Sequence, residues 1–132
     1  MSGAFVTRAA LETDQLDWGT LSWISRPNAT GARQLTAIEV TLLPGKGHNF
    51  HKHPDQEEVI YVVEGTIEQW LAQERRQLSA GEAVFIPAGL VHASFNTGNT
   101  PAKLMVTLSP CMGEGGYELV DVADQAPWKD LR

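Results

Sequence analysis

The stretch HKHPDQEEVIYVVEG, residues 51–65, holds two histidines one residue apart and then a group of carboxylates. Side chains alternate across a β-strand, so His51 and His53 are expected on the same face. Two neutral imidazoles on one face can bind one metal ion, and a nearby carboxylate adds negative charge that offsets the cation. These residue types predict a transition-metal site with Glu57 and Glu58 as alternative acidic ligands. A solvated pair of surface histidines is the competing interpretation.

The elements that must position these residues are short strands. Apolar segments alternate with Gly- and Pro-rich turns, and the pattern contains no long amphipathic helix. Strands are predicted at residues 21–25, 34–43, 48–53, 58–64, 66–72, 83–86, 91–96 and 102–109, with a short strand after the turn at 73–76 and a last one within 116–122. About ten short strands in a chain of 132 residues favour one domain built as a closed barrel or jelly roll.

Composition excludes several classes of function. The net charge of −6 would repel a phosphate backbone, and the ten Lys and Arg residues are scattered, so no nucleic-acid partner is expected. The longest apolar run is far shorter than the roughly 20 residues that span a bilayer, so no membrane partner is expected either. The single cysteine, Cys111, excludes an internal disulfide. With no secretion signal at the N-terminus, this favours a reducing, cytoplasmic setting.

A second pattern lies downstream of the first. Residues 81–96 follow the spacing G-x5-P-x-G-x2-H-x3-N, with Gly81, Pro87, Gly89, His92 and Asn96 at the fixed positions. Residues 45–65 follow the spacing G-x5-H-x-H-x4-E-x6-G, with Gly45, His51, His53, Glu58 and Gly65 at the fixed positions. Together the two stretches resemble the paired motifs of the cupin superfamily. All ten motif positions are filled, which chance matching does not explain.

The resemblance implies an all-β, cupin-type double-stranded β-helix, a jelly-roll barrel formed by a single domain over residues 1–132. It also implies one divalent transition metal, Fe, Mn, Ni, Zn, Co or Cu, held inside the barrel by His51, His53, Glu58 and His92. The six-residue count back from Gly65 selects Glu58 and leaves Glu57 and Asp55 either to solvent or to contacts that support the ligands. Three imidazoles and one carboxylate give a net charge of +1 around a divalent cation, and a metal that prefers five or six ligands keeps open positions.

Further residues are assigned provisional roles. Tyr117 is a candidate acid or base at the barrel mouth, with a packed or hydrogen-bonded edge tyrosine as the alternative. Asn96 is expected to cap a turn, and His48 is expected at the surface because its strand parity is opposite to that of His51. Asn49 has the parity to line the pocket, and Tyr61 is expected in the core, facing away from the metal. Four tryptophans are expected in the core or a subunit interface: Trp18, Trp23, Trp70 and Trp128.

Two functions fit this pattern. The favoured one is a metal-dependent enzyme of dioxygenase, isomerase or lyase type that acts on a small molecule inside the barrel. The alternative is a metal-containing protein that binds a sugar, an acid or an aromatic ligand without turnover. Small cupin lyases that cleave dimethylsulfoniopropionate carry a tyrosine two residues after the glutamate ligand; Ile60 stands there, which counts against that reaction. Small cupins commonly dimerise, and an open jelly roll leaves edge strands, so a homodimer is expected.

Overall fold

The computed structural model describes residues 2–132, and within them the chain folds almost entirely into β-strands. A one-turn helix, α1 (Pro27–Thr30), and two 3-10 turns, Arg8–Ala10 and Trp128–Asp130, are the helical elements of this range. The strands are β1 (Glu12–Leu16), β2 (Gly19–Ser25), β3 (Thr36–Leu42), β4 (Gly47–Lys52), β5 (Glu57–Glu64), β6 (Thr66–Leu71), β7 (Glu74–Ser79), β8 (Ala83–Ile86), β9 (His92–Phe95), β10 (Ala102–Ser109) and β11 (Val120–Asp121).

The strands form two antiparallel sheets. One has the order β1-β2-β3-β10-β5-β8 and the other the order β11-β4-β9-β6-β7. Strict alternation of buried and partly exposed residues along β3 and β10 shows that each strand turns one face inward. The inner faces enclose a core that includes Leu21, Ile38, Leu42, Ile60, Val62, Ile67, Leu104 and Leu108. This is the double-stranded β-helix that the sequence predicted. No helix within residues 2–132 is long and apolar enough to cross a membrane.

A second apolar cluster lies on the outer side of the five-stranded sheet. Phe50 and Trp70 are buried there with Phe95, and the C-terminal segment covers them through Val122 and Trp128. The Trp128 ring centroid lies 5.7 Å from that of Phe50. At Phe50 and His51, β4 is therefore buried on both faces, one against the barrel interior and one against the C-terminal segment. Trp128, expected in the core or a subunit interface, is partly buried against this outer cluster.

Alternation along β5 separates residues that the sequence pattern left ambiguous. Glu58 and Ile60 are buried, whereas Glu57 is exposed and Tyr61 keeps 44% of its surface in contact with solvent. The prediction that Tyr61 lies in the core is wrong, because the apolar run at 59–63 does not have two buried faces. Its outward side chains are exposed instead.

Two observed strands differ from the predictions. β1 was not predicted, because all five of its residues are exposed and it pairs with β2 at the sheet edge without a burial pattern. The last strand was predicted within 116–122, but in the structure it covers only Val120–Asp121, which pairs with β4. The residues just before β11 pack beside the histidines instead of extending that strand.

Candidate metal centre

Three histidines meet inside the barrel near the ends of two paired strands. His51 on β4 is the register partner of His92 on β9, and His53 follows β4 with the same side-chain parity. One ligand atom from each imidazole can be chosen so that all three lie within 4.8 Å of one another. Each of the three residues is buried. The sequence prediction that these histidines share one site is consistent with this geometry, which allows the triad to hold a metal ion.

Backbone carbonyls set the orientation and tautomer of all three rings. The Nδ1 atoms lie within hydrogen-bond distance of carbonyl oxygens, His51 at 2.6 Å from Asn49, His53 at 2.7 Å from Glu118 and His92 at 2.9 Å from Leu90. A carbonyl oxygen only accepts, so each Nδ1 carries the proton and donates it. In the neutral rings Nε2 is then left with a free lone pair, the arrangement that metal-ligating histidines adopt in proteins.

The Glu58 carboxylate reaches two of these histidines from the opposite sheet. Its Oε1 lies 2.8 Å from His92 Nε2 and 3.4 Å from His53 Nε2, and only 5% of the Glu58 side chain is exposed. Within the described residues, neither Glu58 Oε1 nor His92 Nε2 has a hydrogen-bond partner of acceptable geometry. Leaving such buried atoms unsatisfied costs about 1–3 kcal/mol each. A cation would satisfy both atoms at once, so this donor set fits a metal ion.

Burial and mutual charge control protonation in the cluster. Burial lowers the pKa of His53, and it lowers the pKa of His51 well below its ordinary value. Burial alone would raise the pKa of Glu58, but the contact with His92 and the nearby imidazoles outweigh it and lower the pKa. Burial likewise opposes charge on His92, yet the contact with Glu58 raises the pKa of His92. The carboxylate is therefore ionised at neutral pH and carries the negative charge that a divalent cation needs.

A small cavity of about 30 Å³ adjoins the cluster. That volume holds roughly two water molecules. His51, His53 and Glu58 form its polar end, and the other walls are mainly apolar: Leu21, Ile38, Val40, Leu42, Ile60, Leu104 and Val106, with Trp18, His48, Ser94 and Tyr117. A ligand of more than a few atoms therefore requires movement of these walls.

His48 lines this cavity, and the prediction of a surface position for it is wrong. Its ring stacks between Trp18, with centroids 4.6 Å apart, and His51, with centroids 3.7 Å apart. The pairing of β4 with β9 shifts register between His48 and His51, so strict alternation does not hold across this stretch. Burial lowers the pKa of His48 to about 4, which keeps the ring neutral. The sequence feature that signals the irregularity is Gly47, where a β-carbon would meet the Ser94 carbonyl oxygen at 2.3 Å.

The remaining candidates divide between the cavity and the scaffold. Asn49 is exposed, so the prediction that it lines the pocket is wrong. It contributes to the site through its backbone carbonyl, which accepts the hydrogen bond from His51 Nδ1. Asn96 caps a turn as predicted, accepting a hydrogen bond from Gly98 N and donating to the Thr100 carbonyl. Trp23 and Trp70 lie in the apolar clusters as expected, but Trp18 is a wall of the cavity.

Tyr117 lies over the histidine cluster, on the segment that precedes β11. Its ring centroid is 5.3 Å from that of His53, and it makes an edge contact with Trp23 at the same distance. Burial raises the pKa of Tyr117 to about 12, so the phenol is neutral and can donate a hydrogen bond into the cavity.

The two sheets and the buried histidines define a double-stranded β-helix barrel with a candidate metal centre. A family model described as a cupin domain matches residues 38–108, just over half of the chain. The protein belongs to the cupin family.

Relatives at moderate sequence identity include proteins of polyketide synthesis. The chain is 30% identical to polyketide synthase CurC of Streptomyces cyaneus, over 92% of this chain and 79% of that protein. It is 26% identical to tetracenomycin polyketide synthase protein TcmJ of Streptomyces glaucescens, over 83% of this chain and 73% of that protein. It is also 27% identical to germin-like protein 1 of Brassica napus, but spans only 52% of that protein's length.

Solved structures share the fold at lower identity. KdgF from Halomonas sp. superposes with a TM-score of 0.75 at 21% identity, covering 86% of this chain and 99% of that one. The formate complex of Lactobacillus farciminis oxalate decarboxylase gives a TM-score of 0.74 at 18% identity, covering 93% of this chain but 41% of that one. These similarities support the fold alone.

Proposed function

We propose that this protein is a metal-dependent cupin enzyme that acts on a small molecule inside its barrel. One divalent transition metal, Fe, Mn, Ni, Zn, Co or Cu, is held by His51, His53, Glu58 and His92. The observation that carries the proposal is the buried pair of unsatisfied atoms, Glu58 Oε1 and His92 Nε2, beside imidazoles whose Nδ1 atoms are already hydrogen-bonded. Bound there, the metal would act as a Lewis acid toward a ligand oxygen, and Fe or Mn would also permit oxygen chemistry.

The charges around the cluster favour one oxygen donor from the substrate. Three neutral imidazoles and the Glu58 carboxylate leave a net charge of +1 with a divalent cation. Among the described residues that line the cavity, none is a lysine or an arginine. A substrate with a single anionic or polarised oxygen is therefore better matched than one with several negative charges.

Apolar side chains lining the cavity specify the rest of the substrate. They suit an apolar or aromatic body, and the relatives CurC and TcmJ, named for polyketide synthesis, support a substrate of that chemical type. Because the cavity measures about 30 Å³, such a molecule enters only if the walls move. Two of the aromatic residues that line the cavity, Trp18 and Tyr117, lie outside the β-strands.

Tyr117 is proposed as the proton donor. Its neutral phenol faces the cavity beside His53, where it can donate a hydrogen bond to a substrate oxygen and transfer the proton as negative charge develops there. His48 is proposed to hold the wall between Trp18 and His51 rather than to exchange protons, because its ring is stacked on both sides.

A metal-containing binding protein is the second candidate. The observation that favours it is the tight cavity, which leaves little space beside the cluster for a substrate and an attacking molecule together. Such a protein would hold a sugar, an acid or an aromatic ligand without converting it.

Metal analysis followed by a turnover screen separates the two candidates. Untagged protein is analysed for bound metals, reloaded with each of the six metals and incubated with small aromatic, oxygenase and isomerase substrates. His92→Ala serves as the control that lacks one ligand. Turnover that requires wild-type protein and metal supports the enzyme, whereas ligand binding without turnover for every metal supports the binder. A wild-type protein that binds none of the metals contradicts both.

The outer face of β5 and β8 is proposed to join two copies of the chain. Val59, Tyr61, Val63 and Phe85 are exposed apolar residues on this face, and Val59 and Phe85 are register partners on adjacent strands. A contiguous apolar face at the open edge of a sheet is suited to symmetric pairing. A cytoplasmic homodimer, each chain a single domain, is the assembly that we propose. Light scattering gives its mass directly.

A further inference from the structure

The segment formed by residues 110–118 lies beside the histidine cluster and carries Tyr117. It has almost no regular structure, yet its backbone is tied to the barrel by buried side chains from elsewhere in the chain. Gly116 lies closest to the barrel, because a β-carbon there would meet the Arg26 β-carbon at 2.8 Å and the Thr36 hydroxyl at 2.9 Å. The backbone of this segment is therefore anchored to the barrel.

Gln56 forms most of the side-chain hydrogen bonds that hold this backbone. Its side chain is 1% exposed and lies in the turn between β4 and β5. Nε2 donates to the carbonyl oxygens of Pro110, at 2.7 Å, and Gly116, at 3.1 Å. Oε1 accepts from the Glu118 backbone N–H at 3.1 Å. Both donor hydrogens of the amide are thus used, and one side chain holds both ends of the segment.

The hydrogen bond between Gln56 and Glu118 connects Gln56 to His53, one of the proposed metal ligands. While its N–H donates to Gln56, the Glu118 carbonyl oxygen accepts the hydrogen bond from His53 Nδ1 at 2.7 Å. Glu118 itself is exposed, so no burial of its side chain fixes the backbone between its N–H and its carbonyl. The position of the carbonyl that orients His53 therefore depends on Gln56.

Thr36 provides an internal comparison. Its buried hydroxyl donates to the same Gly116 carbonyl at 2.7 Å but has no contact with Glu118. Loss of the Thr36 hydroxyl should loosen the segment at Gly116 and leave the His53 contact in place.

We propose that Gln56 is a positioning residue for the metal centre, acting through the backbone of Glu118 to set the orientation and tautomer of His53. This inference rests on the proposed metal-binding function. It goes beyond that function by assigning a role to a residue whose side chain supplies no ligand to the cluster and which is not one of the fixed positions of the two histidine motifs.

A purely structural role makes a different prediction. If Gln56 only stabilised the fold, removing its hydrogen bonds would lower thermal stability and leave metal affinity at the level of any equally destabilised variant. A positioning role predicts weaker metal binding at matched stability. Loss of the residue that orients a histidine ligand typically weakens metal affinity 10- to 100-fold.

The experiment compares Gln56→Met, which keeps length without hydrogen bonds, with Thr36→Val, which keeps shape. Zn²⁺ affinity is measured by competition with a chromophoric chelator, and thermal midpoints are measured on metal-free protein. We expect Q56M to bind Zn²⁺ about 10- to 100-fold more weakly than wild type. T36V, which loses one buried hydrogen bond to the same segment, should change affinity less than about threefold. Equal affinities in the two variants at comparable midpoints would overturn the proposal.

A second readout separates this inference from the proposed function. In metal-free protein, ¹⁵N NMR of the histidines should show His53 protonated at Nδ1 in wild type and T36V, but mixed between tautomers in Q56M. If wild-type protein binds no Zn²⁺ while this tautomer shift is seen, the metal-binding function fails and the positioning role stands. An unchanged His53 tautomer in Q56M contradicts the positioning role. Should Q56M not fold, Gln56→Asn, which is one methylene too short to span the same partners, is measured in the same way and decides.

Discussion

His51 and His92 are paired across β4 and β9, and their ring centroids lie 4.3 Å apart. Two residues distant in the chain thus become neighbours through strand register rather than through a local turn. A slip of one residue in this pairing would turn one imidazole to the outer side of the sheet. The integrity of the candidate metal centre is therefore tied to the register of two strands.

The adjacent glutamates of β5 provide a matched test of the acidic ligand. Glu58→Gln keeps the size of the buried side chain and removes the negative charge, so metal affinity should fall by at least about tenfold. Glu57→Gln makes the same chemical change at an exposed position and should leave affinity unchanged. Chelator competition measures both. Loss of metal in E57Q with retention in E58Q would reverse the assignment.

The two tyrosines of the chain test the proposed proton donor. Once a substrate is known, Tyr117→Phe should lower kcat by about 100-fold or more while metal content stays at the wild-type level. Tyr61→Phe removes the same hydroxyl from an exposed position and should leave kcat unchanged. Steady-state kinetics with metal analysis of each variant gives the answer. An unchanged kcat in Y117F would leave Tyr117 with a packing role only.

The Glu68 carboxylate links acid stability to the C-terminal segment. Burial opposes its charge, but hydrogen bonds from Arg132 and from Trp70 Nε1, the latter at 2.7 Å, outweigh burial and lower the pKa of Glu68. A lowered pKa gives stability that is present above the unfolded-state value of about 4.3 and is lost as pH falls through the folded-state value.

Glu68→Gln should therefore lower the free energy of unfolding by about 1 kcal/mol at pH 7, and the difference from wild type should shrink below about pH 4. Urea unfolding at pH 7 and pH 3 measures this change. Glu74→Gln is the control, since Glu74 pairs only with exposed Arg76 among the described residues and should change stability little at either pH. A pH-independent loss in E68Q would place the effect in packing rather than in charge.

The exposed apolar face of β5 and β8 is tested by one charge. Phe85→Asp should shift the protein from dimer to monomer at micromolar concentration, because a carboxylate buried at a symmetric interface faces its own copy. Leu35→Asp places the same charge at another exposed apolar position, which lies outside this face, and should leave the mass unchanged. Light scattering reports both. A dimer that survives in F85D must use another surface.

Several features were predictable from sequence for a physical reason. The convergence of His51, His53 and His92 follows from motif spacing on a fold that fixes strand register, and the inward position of Glu58 agrees with the count back from Gly65. Simple alternation failed where the backbone is irregular, and so the position of His48 was missed. The exposure of Tyr61 was missed for a different reason, because an apolar run does not reveal whether one or both faces of a strand are covered.

Other features depend on contacts that no local pattern encodes. The role proposed for Gln56 depends on carbonyl and amide groups at 110–118, which lie more than fifty residues away in the chain. β1 has no periodic burial to mark it. The small volume of the cavity likewise results from side chains contributed by both sheets.

The stacked rings of Trp18, His48 and His51 also give the protein an optical property. Only the His48 ring separates the Trp18 indole from the His51 imidazole of the candidate centre. A coloured or paramagnetic ion such as Cu²⁺ or Co²⁺ quenches indole emission at short range. Binding of such an ion at the candidate centre should therefore lower the intrinsic tryptophan fluorescence of the protein. Trp18→Phe identifies the part of this change that comes from Trp18.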